Sequence, residues 1–144
     1  MHAELQNRIE LRQLGVPVDI ESLEHQETIN YFKFIEPIYK IEPILVERVV
    51  VLYGSSGDPL AAGRFDMLAR ADGVPAIMDF KTTSAIHRPE VTAQLNMYLR
   101  AATQSGYLDQ YPDVGLGVIH LSGETSRYIP IPKLADTFIE RFEF

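Results

Sequence analysis

Cysteine is absent from this chain of 144 residues. That excludes disulfides and every thiolate metal site, and it makes a reducing, cytoplasmic location the expectation. Long apolar runs are absent too. No stretch approaches the roughly 18 consecutive apolar residues of a membrane-spanning helix, and no basic-apolar-small leader opens the chain. Positive charge is scarce: 13 Lys and Arg stand against 20 Asp and Glu, for a formal net charge of −7. A broadly basic face that holds nucleic acid non-specifically is thereby excluded, so such affinity has to come from a local patch, a metal or a partner. Internal repeats and low-complexity segments are also missing. With 46% apolar residues, residues 1–144 read as one domain with a real core.

What is present alternates between helical and extended patterns. Residues from His2 to Leu14 read as a helix, with Leu5, Ile9 and Leu11 apolar and Gly15 as its stop. Asp19 or Ser22 can cap a second helix running to Tyr39, which Pro37 ends or kinks. The β-branched run from Ile44 to Tyr53 predicts a buried strand. Gly54 to Asp58 is a loop into a second strand, Leu60–Ala71, and a third spans Val74–Thr82. Pro89 suits the first turn of a helix to Thr103, with Val91, Leu95, Tyr98, Leu99 and Ala102 inward and Gly106 closing it. Val114–Leu121 predicts another buried strand, Arg127–Ile131 a short edge strand, and Leu134–Phe142 a C-terminal helix. A helix between two strands favours a crossover. The expected fold is therefore α/β: a mixed central sheet with an antiparallel three-stranded meander, a crossover helix and a further strand, flanked by helices.

The meander carries the chemistry. Asp72-Gly73 is the dipeptide that best suits a two-residue type I′ turn, because both positions need positive φ. If it is the turn, cross-strand partners have numbers summing to 145, and Asp66 and Asp79 are such a pair. Two carboxylates then face each other on one sheet face, with Cβ atoms roughly 4.5–5.5 Å apart. Lys81, two residues beyond Asp79, shares that face. Like charges so placed repel unless a cation lies between them. A divalent ion with oxygen ligands relieves the repulsion, and the lysine can hold an anionic substrate oxygen beside it. Glu47, alone among Ile44, Leu45, Val46, Val49, Val50 and Val51, is costly to bury ionised unless it is paired; alternation otherwise turns it to solvent beside Arg48.

Gly63-Arg64-Phe65-Asp66 followed by Asp79-Phe80-Lys81 resembles the active-site signature of the PD-(D/E)xK nuclease superfamily. Gln94-Leu95-Asn96-Met97-Tyr98 is similar to the Q-x-x-x-Y element of its RecB-type branch, which includes lambda-exonuclease-like enzymes. The order helix, three strands, helix, strand also resembles the core of that superfamily, a restriction-endonuclease-like fold. The resemblance implies a DNA nuclease, an exonuclease of recombination, repair or phage origin, dependent on Mg²⁺ or Mn²⁺. It implies that Asp66, Asp79 and the backbone carbonyl of Phe80 bind the metal. Lys81 orients the attacking water, and Glu47 contributes directly or through a metal-bound water. Gln94 and Tyr98, one helical turn apart, border the site and help to hold DNA.

RecB-type domains also carry a metal-ligating histidine on an N-terminal helix in a Gly-x-x-x-His context. Here His2 stands at the chain start without that glycine, as though a preceding segment were lacking; it is either such a ligand or a frayed terminal histidine. His25, His87 and His120 lack metal spacing. The absence of cysteine excludes the iron–sulfur cluster of some RecB-type relatives. Arg64, Arg70, Lys81 and Arg88 lie near the expected site in the sequence, which allows a local basic rim on an otherwise acidic body. A non-catalytic nuclease-like module that docks to a helicase or recombination partner is the alternative from a different class, and a phosphoesterase of small substrates is a third.

Overall fold

Asp72 and Gly73 both take positive φ, +49° and +84°, as a type I′ turn requires. The turn sets the register from Ala71↔Val74 to Met67↔Met78 between two antiparallel strands, β2 (Pro59–Ala71) and β3 (Val74–Lys81). The computed structural model describes residues 1–122 and 126–134. Beside β2 lies β1 (Glu42–Tyr53), also antiparallel. A helix, α3 (Arg88–Gln104), crosses over to β4 (Gly115–His120), which pairs parallel to β3, and β5 (Arg127–Ile131) closes the far edge antiparallel. The order β1-β2-β3-β4-β5 makes an α/β fold with a five-stranded, mostly antiparallel mixed sheet. Among the described residues no helix is long and apolar enough to cross a membrane.

Helices cover both sheet faces. α3 sets Val91, Leu95, Tyr98 and Ala102 against Val50, Leu52, Phe65, Leu68 and Ile77. On the opposite face α1 (His2–Gln13) contributes Leu5 and Ile9. They join Tyr31 and Ile35 of a second helix, α2 (residues 26–39), over Val46, Met67, Met78 and Phe80. Within α3, Leu99 lies at the margin of the core, and the polar Asn96 is fully buried along with Leu95, Ala101 and Ala102. The Asn96 amide donates to the carbonyls of Thr92 and Pro132, and its oxygen accepts from Leu134 N–H, so it pins the chain leaving β5 onto the helix.

The second helix departs from expectation. Asp19 does accept from Glu21 N–H at 3.1 Å, but it caps only a 3₁₀ turn, Ile20–Ser22. α2 starts at Gln26 and comprises Gln26–Asn30, a π-helical segment Tyr31–Ile35 and a last turn Glu36–Tyr39. The cause is tertiary: the Glu4 carboxylate of α1 takes the backbone N–H groups of Glu24 and His25, so those donors go to a side chain outside the helix. The π segment answers Pro37. Proline has no N–H, and its ring crowds the carbonyl four residues earlier; widening the preceding turn relieves both problems without ending the helix. The helix stops instead at Lys40, φ +52°, where Ile41 N–H returns to Glu36 O. The C-terminal helix expected over Leu134–Phe142 lies, beyond Leu134, outside the described residues.

Candidate active site

Three acids converge on one line across three strands. In the β1–β2 register Val46 faces Met67 and Arg48 faces Phe65, which sets Glu47 opposite Asp66. In the β2–β3 register the position after Met67↔Met78 is Asp66 opposite Asp79. Neither rung is a regular backbone pair. Asp66 Oδ2 accepts Phe80 N–H at 2.8 Å, a bond from side chain to backbone. A strand residue directs its N–H and C=O to the same edge, so the Phe80 carbonyl is also turned toward β2.

The strands rotate as they pass this line. Val46 and Met67 pack on the α1 face, whereas Val50 and Phe65, an even number of residues away, pack on the α3 face. Simple alternation would keep each pair on one face. The inversion coincides with Glu47, whose φ of +51° is outside the range a strand residue adopts. The result is an opening between the two helical layers, where a side chain on β2 reaches both.

Asp79 is 5% exposed, and its Oδ2 is buried. Lys81 Nζ lies 2.9 Å from that oxygen, yet off the hydrogen-bond direction, so the oxygen has an ionic neighbour but no donor. Burial first, and then the hydrogen bond and charge of Asp79, push the Asp66 carboxyl up to about 8, against the opposing pull of Phe80 N–H and Lys81. Asp66 therefore holds a proton below about pH 8 where no cation compensates it. Lys81 Nζ also donates to Gln94 Oε1 at 3.3 Å, and Gln94 Nε2 to the Tyr98 hydroxyl at 3.0 Å. Burial and the charges of Asp79 and Asp66 raise the Tyr98 phenol, which keeps it protonated.

On the α1 side a cavity of about 80 Å³ is lined by His2, Gln6, Glu47, Arg64, Asp66 and Phe80. His2 Nε2 sits 3.8 Å from Asp66 Oδ2. The fold thus brings together all the singled-out residues: Asp79, Lys81, Gln94 and Tyr98 on one side, Glu47, Phe80 and His2 around the other, and Asp66 between them. Glu47 does not turn to solvent beside Arg48; it pairs with Arg64 Nε at 2.9 Å. Sequence reasoning missed that partner and also Gln6, although Gln6 stands one helical turn from His2.

Two further features had no sequence signal. Glu4, Glu24 and His25 bring three potential ligand atoms within 4.8 Å. Burial would raise the Glu4 carboxyl, but hydrogen bonds from Glu24 N–H, His25 N–H and the His25 ring hold it down, to about 2. Its oxygens serve to tie α1 to the segment entering α2. His120 is buried next to Lys81 in the β3–β4 register, with Nε2 2.6 Å from the Thr83 carbonyl.

Comparison with known proteins adds little. No protein-family model matches the chain, and no curated protein does. Among solved structures it is similar to the crystal structure of SSO0001, at 14% identity and a TM-score of 0.47. That match covers 94% of this chain and 62% of the other, so the chain spans less than two thirds of that protein. The functional reading rests on the site itself.

Two substitutions probe the Tyr98 wall. A Cβ at Gly63 would lie 2.7 Å from Tyr98 Cε1. Gly63→Ala should displace the buried ring and lower stability by about 1–3 kcal/mol in chemical denaturation. Tyr98→Phe keeps the ring and removes only the hydroxyl, so it should melt near the wild type and, on the nuclease expectation, turn DNA over more slowly. A large stability loss with unchanged activity per folded molecule would make Tyr98 a core residue only.

Proposed function

We propose that this protein is a divalent-metal-dependent DNA nuclease, an exonuclease built on a restriction-endonuclease-like core, that hydrolyses phosphodiester bonds in recombination, repair or phage DNA processing. The observation that carries the reading is the opposed pair of half-buried Asp66 and buried Asp79 with Lys81 beside it. The donor set fits a hard divalent cation: two carboxylates and a backbone carbonyl, that of Phe80, all supply oxygen, and Asp79 Oδ2 is buried without a donor. His2 can add a nitrogen ligand. Bound there, Mg²⁺ or Mn²⁺ lowers the pKa of a coordinated water and polarises the scissile phosphate.

The remaining work belongs to the chain. Lys81 Nζ, fixed between Asp79 and Gln94, holds the attacking water and stabilises charge on the phosphate oxygens as the bond to the 3′-oxygen breaks. Gln94 holds that ammonium in place and, with the neutral Tyr98 hydroxyl behind it, forms the wall along which the DNA backbone lies. Glu47 stands across β2 from Asp79, placed to accept a hydrogen bond from water at the cavity mouth.

The test compares linear and closed-circular, single- and double-stranded DNA in Mn²⁺, Mg²⁺ and EDTA. Degradation of linear DNA that EDTA abolishes is the expected result. A purified protein that binds Mn²⁺ yet degrades no DNA would overturn the nuclease reading. It would favour a docking module of a helicase or recombination complex, which the net charge of −7 also suits.

A further inference from the structure

Arg64 is 61% exposed at its side chain, and only its Nε approaches Glu47. Among the described residues the Glu47 carboxylate is the one polar partner found for it. The Nη edge of the guanidinium, which suits bidentate binding of a phosphate, has no partner among the described residues, and the side chain lines the cavity. We propose that Arg64 is a phosphate-binding residue that exchanges partners: Glu47 holds it while the site is empty of substrate, and a DNA backbone phosphate takes it in the loaded site. This assignment rests on the nuclease reading above and names the residue that grips the substrate backbone on the β1 side.

Three observations support the exchange. Glu47 keeps a positive φ in the middle of a strand, and an exposed ion pair is worth too little to account for that strain. The strained backbone does, however, set Glu47 opposite Asp66 and into the same cavity as Arg64. The second is position. Arg64 lies two residues before Asp66 on β2 and Lys81 two residues after Asp79 on the antiparallel β3, so both cations sit at the same end of the acids, Arg64 lining the α1-side cavity and Lys81 held beside Gln94.

The third is charge. With all acids ionised, Glu47, Asp66 and Asp79 against Arg64 and Lys81 leave one net negative charge. A divalent cation turns this into one net positive charge, and one phosphodiester neutralises it. Arg64 therefore opposes the metal and favours the phosphate. Once a cation shares the Glu47 charge, Glu47 holds the guanidinium less firmly and the phosphate can claim it.

The experiment uses the full chain with Arg64→Gln, Arg64→Lys and Glu47→Gln. Mn²⁺ affinity is measured calorimetrically, and binding of a fluorescent oligonucleotide is followed in Ca²⁺ over a series of salt concentrations. Arg64→Gln should bind Mn²⁺ about threefold to tenfold tighter. It should bind DNA about tenfold weaker, with the salt slope reduced by about 0.7–0.9. Arg64→Lys should restore the slope but not the full affinity, since it lacks the planar fork. Glu47→Gln should strengthen DNA binding in EDTA by releasing Arg64.

DNA affinity and salt slope unchanged in Arg64→Gln would overturn the assignment and leave a structural ion pair. Wild-type protein that binds no DNA overturns it as well. Failure of the metal site itself looks different, because Asp79→Ala would then leave Mn²⁺ binding unchanged whatever Arg64 does.

Discussion

Lys81→Met is expected to yield a folded, metal-binding protein whose DNA hydrolysis is slower by roughly 10²–10³, equivalent to about 2.7–4 kcal/mol of transition-state stabilisation. On the proposed mechanism the lysine acts on charge that develops during the reaction, so turnover should fall more than DNA affinity. Methionine keeps much of the aliphatic stem, and the side chain is partly exposed at the cleft, so folding should change little. Metal affinity should hold or rise, because the ammonium now 2.9 Å from Asp79 is gone. Equal degradation of DNA by wild type and variant would place the activity elsewhere.

Mn²⁺ is expected to raise the melting temperature, and by more at pH 8 than at pH 5.5. Burial and the neighbouring Asp79 lift the folded Asp66 to about 8, against roughly 3.9 for an unfolded aspartate. Between those values the folded state keeps a proton that the unfolded chain has lost, so stability of the metal-free protein falls as pH rises. The cation competes with that proton and therefore gains as pH rises. At about a hundredfold excess over its dissociation constant, a bound ion contributes about 2.7 kcal/mol, which for a domain of this size is roughly 5–10 °C. Asp79→Ala should abolish the rise, and Asp66→Asn should flatten the pH slope of the metal-free protein, leaving the part from Glu36, whose carboxyl burial also raises. A metal response that is independent of pH, or that survives in Asp79→Ala, would refute the assignment.

Element types were largely legible, and the failures are instructive. The helix expected from Asp19 or Ser22 to Tyr39 contained a sound cap, Asp19, and a sound breaker, Pro37. Yet its first part is held out of α2 by Glu4, which is 20 residues away from Glu24 in the chain. Its last part survives Pro37 by widening into a π segment. Neither outcome follows from local preference, because both depend on what the helix packs against.

The opposition of Asp66 and Asp79 was determined by the sequence alone. A two-residue turn and a side-chain period of two are local rules, so Asp72-Gly73 dictates everything within reach of its hairpin, Lys81 included. Glu47 was different. From the Tyr53↔Pro59 pair, an unbroken ladder would set Glu47 against Phe65. The register slips by one beyond that pair, with Leu60 the unpaired residue on β2, and brings Asp66 opposite instead. His2, Gln6 and Arg64 reach the same cavity because α1 docks on the sheet and β1 and β2 rotate together at Glu47. Those events depend on packing between segments far apart in the chain, where no short-range rule sets the geometry, and so only the tertiary structure decided them.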